Sequence, residues 1–293
     1  MNEIILYDRL EHIKQTLTNQ TENVYISFSG GKDSTVLHYL IDIALPNNNI
    51  PRVFINTGIE YNYIVDFVKD LAKKDKRIVV VNSNVNIKRM LEEKGYPFKS
   101  KEHSKKLEVF QNGSSSKWID NYLYNDNTKF KCPKILKYQF TKDYGIKISD
   151  KCCYELKKKT IHKWEKENNK HIAITGMRNS EGGQRKNIDC ILLDKNGELL
   201  RYHPLAKVTD EWISWFIEKN GIELCKLYYE PFNFKRTGCK GCPFSLDLQK
   251  QLDIMAEYLP NELKQCENIW QPIYKEYRRL NYRLKNNVQL KLF

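Results

Sequence analysis

The stretch Val24-Tyr25-Ile26-Ser27-Phe28-Ser29-Gly30-Gly31-Lys32-Asp33-Ser34-Thr35-Val36-Leu37-His38-Tyr39-Leu40 decides how the rest of the chain is read. Its first five residues form a short apolar run of strand character, and its last six open a helix. Between them, residues 29–34 hold two glycines among lysine, aspartate and hydroxyl side chains. Paired glycines let the backbone turn tightly and aim amide N–H groups at an anion, and the helix N-terminus adds the positive end of its dipole. Lys32 adds mobile charge. Ser29 and Ser34 carry hydroxyls for phosphate oxygens, and Asp33 is a candidate Mg²⁺ ligand or helix cap. The loop is not a Walker A motif, because Ile26 stands where glycine is required and Asp33 follows the lysine in place of Ser or Thr.

Outward from the loop, strands alternate with helices. Ile4, Ile5, Leu10, Ile13 and Leu17 have helical spacing over residues 2–19. Arg52-Val53-Phe54-Ile55-Asn56 and Arg77-Ile78-Val79-Val80-Val81 read as strands, followed by helices at 63–73 and near 87–94. Residues 97–117, basic and polar with Gly113-Ser114-Ser115-Ser116, read as a loop or mobile insertion. Helical segments are expected around 118–142 and 150–169. His171-Ile172-Ala173-Ile174-Thr175 is a further strand, and Lys195-Asn196-Gly197 joins a hairpin. From 246 onward the pattern is helical. The fold class is α/β: a Rossmann-like parallel sheet at roughly 20–95 and 170–205, with helical insertions and a helical C-terminal region. The organisation expected is a nucleotide-binding domain over 1–235 and a cysteine-bearing turn with a basic helical tail over 236–293.

The 293 residues are 41% hydrophobic and 12% aromatic, enough for a core without disulfides. No apolar run approaches the roughly 20 residues of a membrane span, and Met1-Asn2-Glu3-Ile4-Ile5 does not read as a signal peptide. The expected location is cytoplasmic, with no membrane partner. The net charge of +13 favours a polyanionic partner such as DNA or RNA, although a Lys- and Asn-rich composition produces such a charge without one. The tail carries Lys275, Arg278, Arg279, Arg283, Lys285 and Lys291, with Tyr274, Tyr277 and Tyr282 interleaved. It reads either as a helix following a phosphate backbone or as an amphipathic helix with its tyrosines inward.

There are eight cysteines. Cys239-Lys240-Gly241-Cys242 is a C-x-x-C, compatible with zinc, iron–sulfur or a redox dithiol. Neighbouring Cys152 and Cys153 are awkward ligands for one tetrahedral zinc but can bind two irons of one cluster. A [4Fe–4S] cluster on Cys152, Cys153, Cys239 and Cys242 is therefore favoured, with zinc and unmetallated thiols as alternatives. Cys190, Cys225 and Cys266 read as core residues, and Cys132 as a buried or reactive thiol.

Ser29-Gly30-Gly31-Lys32-Asp33-Ser34 matches the PP-loop of the adenine nucleotide α-hydrolase superfamily. Asn56-Thr57-Gly58-Ile59-Glu60-Tyr61 resembles the segment that lies beside the nucleotide there. Three further stretches extend the likeness: Ile148-Ser149-Asp150-Lys151-Cys152-Cys153 with Lys157-Lys158-Lys159, Thr175-Gly176-Met177-Arg178-Asn179-Ser180 with Arg185, and Arg236-Thr237-Gly238-Cys239. Pro204-Leu205, Thr209 and Trp212 complete it. Together they resemble the phosphoadenosine phosphosulfate (PAPS) reductase family, and the four cysteines resemble the cluster-binding adenylylsulfate reductases and related sulfur-transfer proteins. The resemblance implies an enzyme that binds an adenine nucleotide through residues 29–34 and Asn56, Thr57 and Gly58. It implies Lys157, Arg178 and Arg185 on the phosphate or sulfate, with Lys32, Asp33, Lys157 and Arg178 as the catalytic set.

Sulfonucleotide reductases carry a nucleophilic cysteine in a C-terminal Glu-Cys-Gly motif, which Asn287-Val288-Gln289-Leu290-Lys291-Leu292-Phe293 does not contain. The leading expectation is therefore ATP-dependent, AMP-forming sulfur transfer with Mg²⁺, onto DNA or RNA. The sulfur or electron donor would be of the cysteine desulfurase or thioredoxin-like class, and a homodimer is possible in principle. The alternatives are reduction of PAPS or adenylylsulfate, with Cys266 or Cys132 as stand-in nucleophile, and a non-catalytic nucleotide-binding subunit.

Overall fold

The computed structural model describes residues 1–285 other than 19, 115, 126 and 128–130. The chain begins with α1 (Asn2–Leu17), β1 (Val24–Ser27), α2 (Lys32–Ala44), β2 (Arg52–Asn56), α3 (Asn62–Lys74) and β3 (Ile78–Asn82). Next come α4 (Ile87–Lys94), α5 (Lys101–Gln111) and α6 (Lys117–Tyr124). Then follow α7 (Lys159–Glu167), β4 (Ile172–Ile174), β5 (Ile191–Leu193), β6 (Leu199–Tyr202), α8 (Asp210–Lys219), α9 (Leu248–Tyr258) and α10 (Pro260–Arg279). Two compact units result, Met1–Ser83 with Lys159–Gly238, and Asn84–Lys158 with Cys239–Phe293. Residues 84–158 group with the C-terminal segment and not with the sheet. Their described residues supply no strand to the sheet, and Phe98 meets Tyr277 of α10 at 4.6 Å between ring centroids.

The first unit contains the expected sheet, in the order β3-β2-β1-β4-β6-β5 and parallel except for β5. Strand periodicity sends Val24 and Ile26 to one face and Tyr25 to the other. On the first face they join Leu37, Leu40 and Ile41 of α2 and Trp212, Ile213 and Phe216 of α8. On the second face Tyr25 packs with Val53 and Trp164 of α7. Burial on both faces explains why these parallel strands read as continuous apolar runs. The hairpin forms as expected: Asp194 Oδ1 accepts from the N–H groups of Asn196 (2.8 Å) and Glu198 (2.9 Å). Cys190, expected in the core, is only half-buried, and Ile191–Leu193 is exposed. An apolar run on an edge strand looks like a core strand in sequence, but it has a neighbour on one side alone.

In the second unit, the loop expected over 97–117 contains α5. Ser100 caps it by accepting from His103 N–H at 3.2 Å, and His103, Ser104, Lys106, Leu107 and Glu108 are buried. The lysines hid this helix. The Lys106 ammonium lies 4.2 Å from the Tyr122 ring centroid, so its charge is stabilised on a helix where a loop or mobile insertion was expected. Ser115 is outside the described residues.

The basic tail resolves in favour of packing. Tyr274 and Tyr277 are fully buried, Arg278 pairs with Glu267, and Arg279 pairs with Glu276 at 2.7 Å. Lys291 lies outside the described residues. Among the described residues, no helix is long and apolar enough to cross a membrane.

One buried ion cluster gives the fold a pH dependence. Arg52, fully buried on β2, donates to Asp42 at 2.6 Å, and Arg77 binds the same carboxylate at 2.8 Å. Burial pushes the Asp42 carboxyl up, but the hydrogen bond from Arg77 and the charge of Arg52 outweigh it and hold the group below its ordinary value. A depressed carboxylate stabilises the fold above its unfolded-state pKa, and that contribution is lost as pH falls through the lower folded value. Urea unfolding should find Asp42→Asn less stable than wild type by about 3 kcal/mol at pH 7. The gap should narrow as pH falls below about 4; a gap constant with pH would count against the carboxylate charge as the cause.

Candidate functional site

Residues 29–34 close on themselves where β1 passes into α2. Gly30 has φ +68°, and a Cβ there would stand 2.8 Å from Val68 Cγ2 of α3. The loop therefore needs glycine for its left-handed backbone and for clearance. Ser34 Oγ accepts from Ser29 N–H at 3.2 Å and donates to the Gly31 carbonyl at 2.9 Å. Ser29 Oγ accepts from Gly31 N–H at 3.3 Å. Lys32 N–H donates to the Tyr228 hydroxyl at 2.8 Å, which is 2.8 Å from Thr237 Oγ1. Three loop N–H groups are thus held by neutral hydroxyls, which a phosphate oxygen can replace with stronger, charge-assisted bonds.

The loop sits at the switch point of the sheet. β1 pairs with β2 on one side and β4 on the other, and ligands of open α/β sheets bind at the strand C-termini where the order reverses. The chain leaving β4 crosses directly over the loop. A Cβ on Gly176 would lie 2.8 Å from the Asp33 carbonyl oxygen and 2.9 Å from its carbon. Two residues on, Arg178 is 2% exposed. Its Nε donates to Asp33 Oδ1 (2.8 Å), Nη1 to Ser180 Oγ (2.7 Å) and Nη2 to Asp210 Oδ1 (2.6 Å). Lys32 Nζ is 3.3 Å from the same Asp210 oxygen and 3.7 Å from Asp33 Oδ1. Two cations and two carboxylates therefore face each other beside the phosphate loop. The hydrogen bond from Arg178 holds the Asp210 carboxyl below its ordinary value.

Of the residues expected here, the structure brings Ser29, Gly30, Gly31, Lys32, Asp33, Ser34 and Arg178 together. Asn56, Thr57 and Gly58 leave the end of β2, next to β1. Asn56 donates to Asn82 at 3.0 Å and accepts from Gly58 N–H at 3.2 Å, while Thr57 N–H donates to Glu60 at 2.8 Å. Arg185 does not join the Lys32–Asp33–Arg178 group. It pairs with Glu181, a carboxylate that also takes Arg236 and the backbone N–H of Arg178. Lys157 belongs to the second unit, where its charge acts on Cys152 and Cys242. Asp210 and Tyr228 were not singled out by the sequence. Asp210 reads as an ordinary acid in a first helical turn, and the flanking Thr209 and Trp212 were its only signal. Tyr228 carries no motif.

All four expected cluster ligands belong to the second unit. Cys152 and Cys153 open a helix that widens into a π-helical turn over Tyr154–Lys158; such turns recur at functional sites. Its entry is tied down by Tyr96 N–H to the Lys147 carbonyl (2.8 Å), Ser149 N–H to the Tyr96 carbonyl (2.9 Å) and Lys151 N–H to Ser149 Oγ (3.0 Å). Cys239 and Cys242 lie in a tight turn closed by Cys242 N–H to the Cys239 carbonyl at 3.3 Å. Burial pushes the Cys152 thiol up strongly, with the other three cysteines adding to the rise, so the four sulfurs sense one another. Burial also pushes Cys242 up to about 12, and Lys157 opposes the rise at both. Such thiols ionise readily only on a metal.

Among the described residues, the one set of three or more metal-capable side chains with ligand atoms mutually within 4.8 Å is His38, Asp42 and Asp75. That set is already neutralised by Arg52 and Arg77. No three cysteine sulfurs meet the same limit, whereas tetrahedral zinc with bonds of about 2.3 Å would hold its sulfurs about 3.8 Å apart. Buried Cys152 and half-buried Cys153, Cys239 and Cys242, spaced more widely than a zinc site, fit the ligand number and softness of a [4Fe–4S] cluster.

The model of the phosphoadenosine phosphosulfate reductase domain matches residues 23–245. The chain belongs to this family. It has the α/β PP-loop fold, and its solved relatives by shape are distant. PAPS reductase from Candida auris, in a phosphate complex, is 14% identical, with TM-score 0.46 over 78% of this chain and 87% of that one. FMN adenylyltransferase from Candida glabrata is 14% identical, with TM-score 0.44 over 76% of this chain and 58% of that one. The U34-tRNA thiolase from Methanococcus maripaludis, solved with its [4Fe–4S] cluster, is 17% identical, with TM-score 0.41 over 99% of this chain and 82% of that one. An uncharacterised protein of Methanocaldococcus jannaschii is 38% identical over 81 residues, 28% of this chain and only 19% of that protein.

The crossing over the loop yields a test. Gly176→Ala should cost about 1–3 kcal/mol by forcing the backbone off Asp33. Amide exchange at residues 29–34 should accelerate with it. Unchanged stability and exchange would mean the contact yields at no cost.

Proposed function

We propose that this family member is a [4Fe–4S] PP-loop enzyme that binds an adenine nucleotide at residues 29–34 and catalyses AMP-forming sulfur transfer onto a nucleic acid. The observation that carries the reading is the cation pair Lys32 and Arg178 set around Asp33 at the mouth of a hydroxyl-filled loop. Phosphate oxygens would replace the hydroxyls on the N–H groups of Ser29, Gly31 and Lys32. Lys32 and Arg178 would balance the charge as an acceptor oxygen attacks the α-phosphorus, the α–β bond breaks and pyrophosphate leaves with the bonding electrons. Sulfur then displaces AMP from the activated acceptor. Asp33 offers the oxygen that Mg²⁺ favours, and the ion would supply further charge neutralisation. Cys152, Cys153, Cys239 and Cys242 would hold the cluster, which supplies a thiophilic site for sulfur. The net charge of +13 favours a polyanionic acceptor.

Reduction of PAPS or adenylylsulfate is less well supported, because it needs an accessible nucleophilic thiol outside the ligand set. The stand-ins Cys132 and Cys266 are 1% and 0% exposed, and burial pushes both thiols up.

Anaerobic incubation with α-labelled ATP, with and without nucleic acid, tests the reading. AMP should form, nucleic acid should stimulate it, and Lys32→Ala or Asp33→Ala should slow it by about 100-fold. No AMP from the wild type would remove the adenylation step. Asp210 now occupies both cations, so Asp210→Asn should tighten ATP binding about 5-fold, or about 1 kcal/mol, by titration calorimetry. Equal or weaker binding would show that Asp210 does not compete with phosphate. Cys239→Ser should lose the iron and sulfide of the anaerobically purified protein; full retention would sink the ligand assignment.

A further inference from the structure

We propose that α10 is a working part of the cluster site: it holds the turn from Cys239 to Cys242 in ligating form before any cluster is present. The inference rests on the cluster reading above. Glu262, Cys266, Trp270, Tyr274 and Tyr277 recur at intervals of four and three residues, which puts them on one face of α10. All five are buried. Each meets the turn or the two residues that follow it. Lys240, 2% exposed inside the C-x-x-C, directs its ammonium to Glu262 at 3.4 Å, and its carbonyl accepts from Trp270 Nε1 at 3.2 Å. The Gly241 carbonyl accepts from the Tyr274 hydroxyl. Gly241 has φ +60°, and a Cβ there would overlap Tyr274 Oη and come 2.8 Å from Cys266 Sγ. The Pro243 carbonyl accepts from the Tyr277 hydroxyl at 2.9 Å and from Arg283 Nη1 at 2.7 Å, and the same Arg283 nitrogen reaches the Ser245 carbonyl at 3.0 Å.

The carbonyls of Lys240, Gly241, Pro243 and Ser245 are therefore each taken by a side chain of α10 or the segment just after it. A free C-x-x-C turn samples many backbone conformations and loses them when its sulfurs are tied to a cluster. Here that ordering is done by folding, so the sulfurs of Cys239 and Cys242 are presented as a preformed half-site. The tyrosines and arginine of this segment act on the turn by hydrogen bonding and need no contact with nucleic acid to account for their placement. They are positioning residues for the ligands.

Tyr274→Phe removes one donor and keeps the ring, and Arg283→Gln removes the donor to Pro243 and Ser245 from a half-buried site. Two readouts are taken on the full chain. The first is amide exchange of the 239–245 segment in the iron-free protein. The second is the rate at which a chelator strips iron from anaerobically reconstituted protein. Each variant should exchange about fivefold faster in that segment and lose iron about fivefold faster, with unchanged far-UV spectra. Wild-type rates in both variants would overturn the proposal. Faster exchange with wild-type iron retention would also overturn it, since the turn would then be held without consequence for the cluster. If the wild type takes up no iron or sulfide at all, the cluster reading itself fails, and the exchange data separately report whether α10 orders the turn.

Discussion

The site in the first unit depends on one close approach, the backbone of Gly176 against the carbonyl of Asp33. No side chain larger than hydrogen fits there. That contact sets how near the chain leaving β4 comes to the loop leaving β1, and so where Arg178 can reach. With the crossing in place, a single guanidinium spans Asp33, Ser180 and Asp210, and Lys32 closes on the same carboxylates. The result is a balanced charge group beside a loop whose amides are held by hydroxyls.

The second unit solves a different problem, which is to gather thiols that repel one another once ionised. Cys152 and Cys153 are delivered by a helix whose entry is fixed through Tyr96 and Ser149, and Cys239 and Cys242 by a turn fixed on α10. Burial makes the thiols of Cys152 and Cys242 hard to ionise. Lys157 contributes an opposing charge within the same unit. The residue that the family resemblance assigned to the nucleotide acts here on the cysteines of its own unit.

Several features of the structure depend on partners that the spacing of residues does not reveal. Lysines at 101, 105 and 106 made α5 look like a solvated loop, because sequence alone does not reveal that Lys106 stacks on Tyr122. The basic, tyrosine-rich tail was open to stacking on nucleic acid or to inward packing, and Tyr274 and Tyr277 spend their hydroxyls on the carbonyls of Gly241 and Pro243. Arg185, a residue type suited to an oxyanion, pairs with Glu181, a partner that no motif marks. Asp210 and Tyr228 touch the loop from more than 175 positions away in sequence, so their role depends on the crossing of β4 and on α8.

Local order was legible from the residues themselves. The strand–loop–helix at Val24 to Leu40, the strand alternation and the hairpin at Asp194 all follow from short-range chemistry: glycine torsions and side-chain periodicity. The fold class and the family were therefore open to reading at once. Only the tertiary structure decided which charges meet, which tyrosines turn inward and how residues 84–158 group with the C-terminal segment. Those outcomes depend on burial and on partners distant in sequence, and neither has a signature in the spacing of residues along one chain.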